Sequence, residues 1–116
     1  MTYKNITATL DVLILGKVED ALKEVGVPGL TISEVEGYGV NKNFYQRDWL
    51  TTHARIQIFV PESRVDEIVN VIMEVAGAGT EEAGIITVSP VERMFRIYDR
   101  TEITDDSFES VSGHRD

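Results

Sequence analysis

Apolar and polar residues alternate over 6–12, where Ile6, Ala8, Leu10 and Val12 are interleaved with Thr7, Thr9 and Asp11. A period of two predicts a half-buried strand. The rhythm then changes. Val18, Ala21, Leu22 and Val25 recur at i, i+3, i+4 and i+7 with charged residues between them, which predicts an amphipathic helix over 17–25, stopped by Gly26 and Pro28. A second strand is expected from Gly29 to Gly39, with Leu30 and Ile32 on one face. Its alternation slips near Val35, where a bulge or twist is expected. Residues 40–51 follow neither period and read as a polar loop carrying Phe44, Tyr45 and Trp49. Period two returns in a third strand, with Ala54, Ile56, Ile58 and Val60 set against His53, Arg55, Gln57 and Phe59. Pro61 opens a second helix, with Glu62 placed where the helix dipole favours an anion. Its apolar stripe is Val65, Ile68, Val69, Ile72, Met73 and Ala76. A short strand, Ile85–Val88, and a second apolar run, Met94–Tyr98, complete the pattern.

Strand–helix–strand–strand–helix–strand is the order of a ferredoxin-like βαββαβ sandwich, an α+β fold with two helices on one face of an antiparallel sheet. The folded domain is expected over 1–98. From Asp99 the chain turns polar, so 99–116 reads as a C-terminal extension whose last dozen residues are mobile.

Gly77, Gly79 and Gly84 lie within eight residues, between the second helix and the fourth strand. Such a stretch can cradle phosphate with backbone N–H groups, or simply cap the helix and turn. This one has no Lys or Arg and carries Glu81 and Glu82, which oppose a polyphosphate.

Composition narrows the classes. The chain has 116 residues, a net charge of −9 and no cysteine, which points to one domain without disulfides or thiolate chemistry. The acidity opposes nucleic acid and anionic lipid. No apolar run approaches the roughly 20 residues of a membrane span, and 10–15 is too short and too internal for a signal peptide. A cytoplasmic protein is expected, with membrane association only through a target. His53 and His114 have no ligand spacing, so no metal site is expected. With no nucleophile–base pair and no convergent carboxylates, the chain does not read as an enzyme.

Two segments are more specific. Residues 19–39, Glu-Asp-Ala-Leu-Lys-Glu-Val-Gly-Val-Pro-Gly-Leu-Thr-Ile-Ser-Glu-Val-Glu-Gly-Tyr-Gly, and the string Val88-Ser89-Pro90-Val91-Glu92 with Arg93 and Arg96 resemble the P-II signal-transduction family, in register with each other. The resemblance implies a homotrimer with adenine nucleotides in clefts between subunits, a mobile loop that contacts a target transporter or enzyme, and no required cofactor. The nucleotide positions it implies are Thr31 on the second strand, Gly37, Tyr38 and Gly39 at the hinge, and Asn41 at the loop's base. Gln57 and Phe59 on the third strand, Gly79, Ala83 and Gly84 in the glycine stretch, and Arg96 complete them. Lys42, His53 and Arg100 fall where anion contacts are implied.

The departures from the family carry information. The mobile loop, 40–52, is about seven residues shorter than usual and lacks the family's Tyr-Arg-Gly-Ala-Glu-Tyr element. The family's 2-oxoglutarate lysine falls on His53, and an imidazole is no fixed cation near neutrality. The basic residues of the phosphate loop fall on Gly77, Thr80 and Ile85. Phe44, Tyr45 and Trp49 read equally as a partner surface or as packing against a trimer face; Arg47, like Lys42, is either solvated or grips a small anion or an acidic patch of the partner. The reading is a divergent P-II-like regulator for AMP or ADP more than ATP. Branches associated with bicarbonate transport or carboxysomes make bicarbonate a candidate co-ligand. An ATP/2-oxoglutarate nitrogen regulator and a structural or metal-tolerance trimer without nucleotide are the alternatives.

Overall fold

Asp11 both ends the first strand and starts the first helix: its carboxylate Oδ1 accepts the N–H of Leu13 at 2.9 Å, and residues Val12–Ile14 form a 3-10 turn that runs directly into a helix. In the computed structural model, which describes residues 2–38, 50–77 and 84–104, the elements are β1 (Tyr3–Asp11), α1 (Leu15–Glu24), β2 (Thr31–Tyr38) and β3 (Leu50–Pro61). They continue with α2 (Val65–Ala76), β4 (Gly84–Val91), β5 (Phe95–Arg96) and β6 (Thr101–Glu102). Val12, expected as the end of the strand, therefore belongs to the turn, because a capping carboxylate outweighs one more step of alternation.

The same device recurs at the second crossover. Pro61 closes β3 in extended geometry (φ −60°, ψ 144°), and a 3-10 turn over Glu62–Arg64 leads into α2. The N–H of Glu62 donates to the carbonyl of Thr2 at 3.0 Å, tying this turn to the start of β1. Arg64 then reaches back with Nη2 to the carbonyl of Val25 at 2.8 Å, satisfying an acceptor at the C-terminal end of α1. That end is finished by Gly26 at φ 95°, a left-handed conformation open to glycine, with Val27 N–H bonded to the Leu22 carbonyl.

The main sheet has the order β2-β3-β1-β4 with every neighbouring pair antiparallel, which is the ferredoxin-like arrangement. Ile6, Ala8 and Leu10 of β1 and Ile56, Ile58 and Val60 of β3 form one core with Val18 and Leu22 of α1 and Ile68, Ile72 and Ala76 of α2. Both helices thus cover the same face of the two central strands. Alternation in β1 and β3 is clean because those strands are buried on one side only.

Edge strands followed their sequence signals less closely. The β2–β3 register runs from Thr31↔Gln57 to Tyr38↔Leu50 without an extra residue, so there is no bulge at Val35. The backbone ladder to β3 sets the register of an edge strand even where hydrophobic alternation lapses. The same ladder draws Leu50–Thr52 into β3, so the 40–52 loop is shorter than expected at its C-terminal end. β4 is longer than Ile85–Val88 because Pro90 is no obstacle at an edge, where an N–H is not needed on both sides. Past Tyr98 the chain is folded up to Glu102. β5 and β6 pair as Phe95↔Glu102 and Arg96↔Thr101, and Ile103 is buried with its N–H on the carbonyl of Met94 at 2.9 Å. Among the described residues, no helix is long and apolar enough to cross a membrane.

Truncating Leu22 to Ala should lower the unfolding free energy by about 2–5 kcal/mol, since a fully buried side chain leaves a cavity. Leu13→Ala, at an 87% exposed position, should change it by less than about 0.5 kcal/mol. Urea denaturation of the two variants checks the pair.

Candidate functional site

The strand register lines up polar side chains on the sheet face away from the helices. Thr31 of β2, Gln57 of β3, Thr7 of β1 and Thr87 of β4 form one row across all four strands. Arg55 pairs in register with Ser33 and Thr9 in the next row, and His53 stands opposite Asp11 in the one beyond. Phe59 lies on the same face, opposite Asn5. Thr31 is exposed, whereas His53, Gln57 and Phe59 are half-buried. Alternation alone placed the three β3 residues together. That Thr31 sits directly across from Gln57 is a fact of register. Gln57 presents both a donor and an acceptor there, as reading the edge of a planar base requires.

Gly37 and Tyr38 end β2 opposite Thr51 and Leu50. The sequence-derived positions Gly39, Asn41, Lys42, Phe44, Tyr45, Arg47, Trp49, Gly79 and Ala83 lie outside the described residues.

The two ends of the glycine stretch meet. Gly77, at the C-terminal end of α2, and Gly84, at the start of β4, line one small cavity of about 70 Å³ together with Leu10, Met73 and Ile85. Gly84 has φ 124°, and a Cβ there would stand 1.8 Å from the carbonyl oxygen of Thr9. Backbone conformation and close approach to β1 both require glycine. A Cβ on Gly77 would likewise come within 2.5 Å of the Met73 carbonyl. The glycines therefore let a helix end and a strand start converge tightly, whatever else the stretch does.

Charge is concentrated in the β5–β6 hairpin. Arg93 makes a two-pronged pair with Glu102, Nε to Oε2 at 2.9 Å and Nη2 to Oε1 at 3.1 Å, and its guanidinium lies 4.9 Å from the centre of the Phe95 ring. Arg96 is held by Asp99, with Nε to Oδ1 at 3.1 Å, Nε to Oδ2 at 3.2 Å and Nη2 to Oδ2 at 2.9 Å. Thr101 joins them: its hydroxyl donates to Asp99 Oδ1 at 2.7 Å and accepts from Arg96 Nη2 at 3.3 Å. Hydrogen bonds from Arg96 and then Thr101 bring the Asp99 carboxyl down to about 2, and the Arg93 guanidinium holds Glu102 below the ordinary carboxylate range. Arg100 takes a left-handed conformation at φ 59° to close the hairpin, is exposed, and has no ion-pair partner among the described residues. The two hairpin cations for which the resemblance implies ligand contacts thus differ: Arg96 is already matched by a carboxylate, and Arg100 is not, among the described residues. Asp99 and Thr101 had no place in the sequence reading, although Arg96 and Asp99 are three residues apart in a polar turn, which was the available signal.

The family model for "Nitrogen regulatory protein P-II" matches residues 3–102, from the first residue of β1 to the last of β6. The chain belongs to the P-II family. Its relatives include Nitrogen regulatory protein P-II 1 of Escherichia coli (strain K12), 37% identical over 112 residues that span 90% of this chain and 97% of that protein. Nitrogen regulatory protein P-II of Pasteurella multocida (strain Pm70) is 34% identical over 102 residues, 81% of this chain and 90% of that protein. The crystal structure of Arabidopsis thaliana PII bound to citrate superposes with a TM-score of 0.76 at 26% identity, covering 87% of this chain and 88% of that one. The fold and the family are those the sequence suggested, and the protein is a P-II regulatory signalling protein.

Gly84→Ala should destabilise the protein by at least about 2 kcal/mol, since left-handed strain and a backbone clash add; thermal and urea unfolding measure this. A carboxyl whose folded-state pKa is depressed contributes stability above its ordinary value of 3.8, and that contribution is lost as pH falls through about 2. An NMR titration of the Asp99 carboxyl carbon should therefore show a midpoint near 2, rising toward the ordinary value in Arg96→Ala.

Proposed function

We propose that this P-II-family protein works as a homotrimer that binds an adenine nucleotide, AMP or ADP in preference to ATP, in clefts between subunits. A small anion such as bicarbonate would bind alongside. The observation that carries the phosphate preference is the absence of Lys and Arg from residues 77–84, together with Glu81 and Glu82. Backbone N–H groups can hold one or two phosphates there. A triphosphate would meet two carboxylates without a fixed cation to offset them. The Thr31–Gln57 pair on the open sheet face suits an adenine edge, with Phe59 on the same strand as an apolar neighbour. Phe95, Ile97 and Tyr98 leave apolar surface on the hairpin that a neighbouring subunit would cover.

Occupancy would be passed to a partner, a transporter or an enzyme, through the β2–β3 connection. Phe44, Tyr45, Arg47 and Trp49 supply its contact residues, and ligand contacts at Gly37–Asn41 bias its conformations. Lys42, His53 and Arg100 would contribute positive or hydrogen-bonding character to the anion. The Arabidopsis thaliana PII bound to citrate supports carboxylate-type anions as a ligand class for the fold. Sensing of 2-oxoglutarate with ATP fits less well, because His53 stands where the family's 2-oxoglutarate lysine falls.

Titration calorimetry with AMP, ADP and ATP, each with and without bicarbonate, tests the reading. AMP or ADP should bind tighter than ATP, and the bound nucleotide should raise the melting temperature. Tightest binding of ATP would overturn the preference, and no binding of any nucleotide would overturn the reading.

A further inference from the structure

We propose that Asp99 is a built-in competitor for the ligand at Arg96 and sets how many phosphates the site accepts, an inference that rests on the nucleotide reading above. The arrangement is local and complete. Arg96 and Thr101 are register partners in the β5–β6 ladder, and Arg100 turns the chain so that Asp99 comes back over them. The carboxylate then occupies the guanidinium edge at Nε and Nη2, the forked geometry that a phosphate would use. Thr101 holds it there with a 2.7 Å hydrogen bond. The Asp99 side chain keeps 40% of its surface exposed and that of Arg96 keeps 26%, so the pair can exchange partners without opening the core. Such exposed pairs are only weakly stabilised, which makes displacement feasible.

The competition has a definite charge dependence. An incoming anion that takes the Nε–Nη2 edge must replace the carboxylate oxygens there, and the displaced Asp99 stays a few ångströms away because its backbone is held in the hairpin. It remains ionised throughout the physiological range even when Arg96 lets it go, since the ordinary carboxyl value of 3.8 already lies well below that range. Its repulsion therefore grows with the ligand's charge: least for AMP, more for ADP, most for ATP. Thus Asp99 acts as a specificity-determining residue against triphosphates, separate from the cation-free glycine stretch.

The test uses the full-length protein and titration calorimetry with AMP, ADP and ATP. Asp99→Asn should tighten ATP by about tenfold and AMP by about threefold or less, with ADP between, and the gain should shrink at high ionic strength. Asp99→Glu, which retains the charge, should stay near wild type. In an Arg96→Ala background the Asp99→Asn gain for ATP should fall well below its wild-type size, because the competition for the guanidinium is gone and only screened repulsion remains. Equal affinities for wild type and Asp99→Asn, with wild type binding AMP or ADP, would overturn the role of Asp99 and leave the nucleotide reading intact. So would an Asp99→Glu variant that behaves like Asp99→Asn, or a gain for ATP undiminished without Arg96. No binding to either protein would overturn both.

Discussion

Everything in this chain hangs on the burial of alternate residues along β1 and β3. Ile6, Ala8 and Leu10 lie beside Ile56, Ile58 and Val60 in neighbouring strands, and both helices lay their apolar stripes on this one surface. Because the period of a strand is two, the same constraint that sends these residues inward sends Thr7, Thr9, His53, Arg55 and Gln57 outward. The polar face is thus a consequence of the core. A one-residue slip of β3 would exchange the two sets and lose both together.

Two kinds of order then coexist. The β1–β3 core is non-local, joining positions some fifty residues apart in the chain. The β5–β6 hairpin is assembled within ten residues, from Arg93 to Glu102, by ion pairs and one left-handed residue. Ion pairs this exposed add little to stability. Their consequence is positional: they hold two guanidinium groups in fixed relations to carboxylates. The P-II family match, which runs to residue 102, includes that hairpin.

How far the site could be read from sequence differs by residue. His53, Gln57 and Phe59 were put on one face by alternation alone, and the structure agrees. Gly84 reads from sequence as part of a phosphate cradle or of a turn, but its structural requirement comes from the Thr9 carbonyl of a different strand, 75 positions earlier in the chain, a contact with no sequence signature. For Arg96 the resemblance implies a nucleotide contact. Its pairing with Asp99 and Thr101 depends on a turn geometry centred on Arg100, a non-glycine residue at positive φ that composition does not flag. Of the bulge or twist expected near Val35 the bulge is absent, and β4 runs past its expected end at Val88; both lie on edge strands, where burial on one flank is incomplete and alternation loses its force.

The sequence by itself determined the α+β class, the order of elements, the core residues of β1, β3, α1 and α2, and the resemblance to P-II proteins. These follow from hydrophobic period and from short motifs, which are properties of neighbours along the chain. Only the tertiary structure decided that Thr31 faces Gln57, that Gly77 and Gly84 converge on one cavity, and that Arg96 is held by Asp99. Those are matters of register and close approach between separate segments, and no local pattern encodes the distance between two strands or the carboxylate a guanidinium finds when a hairpin closes.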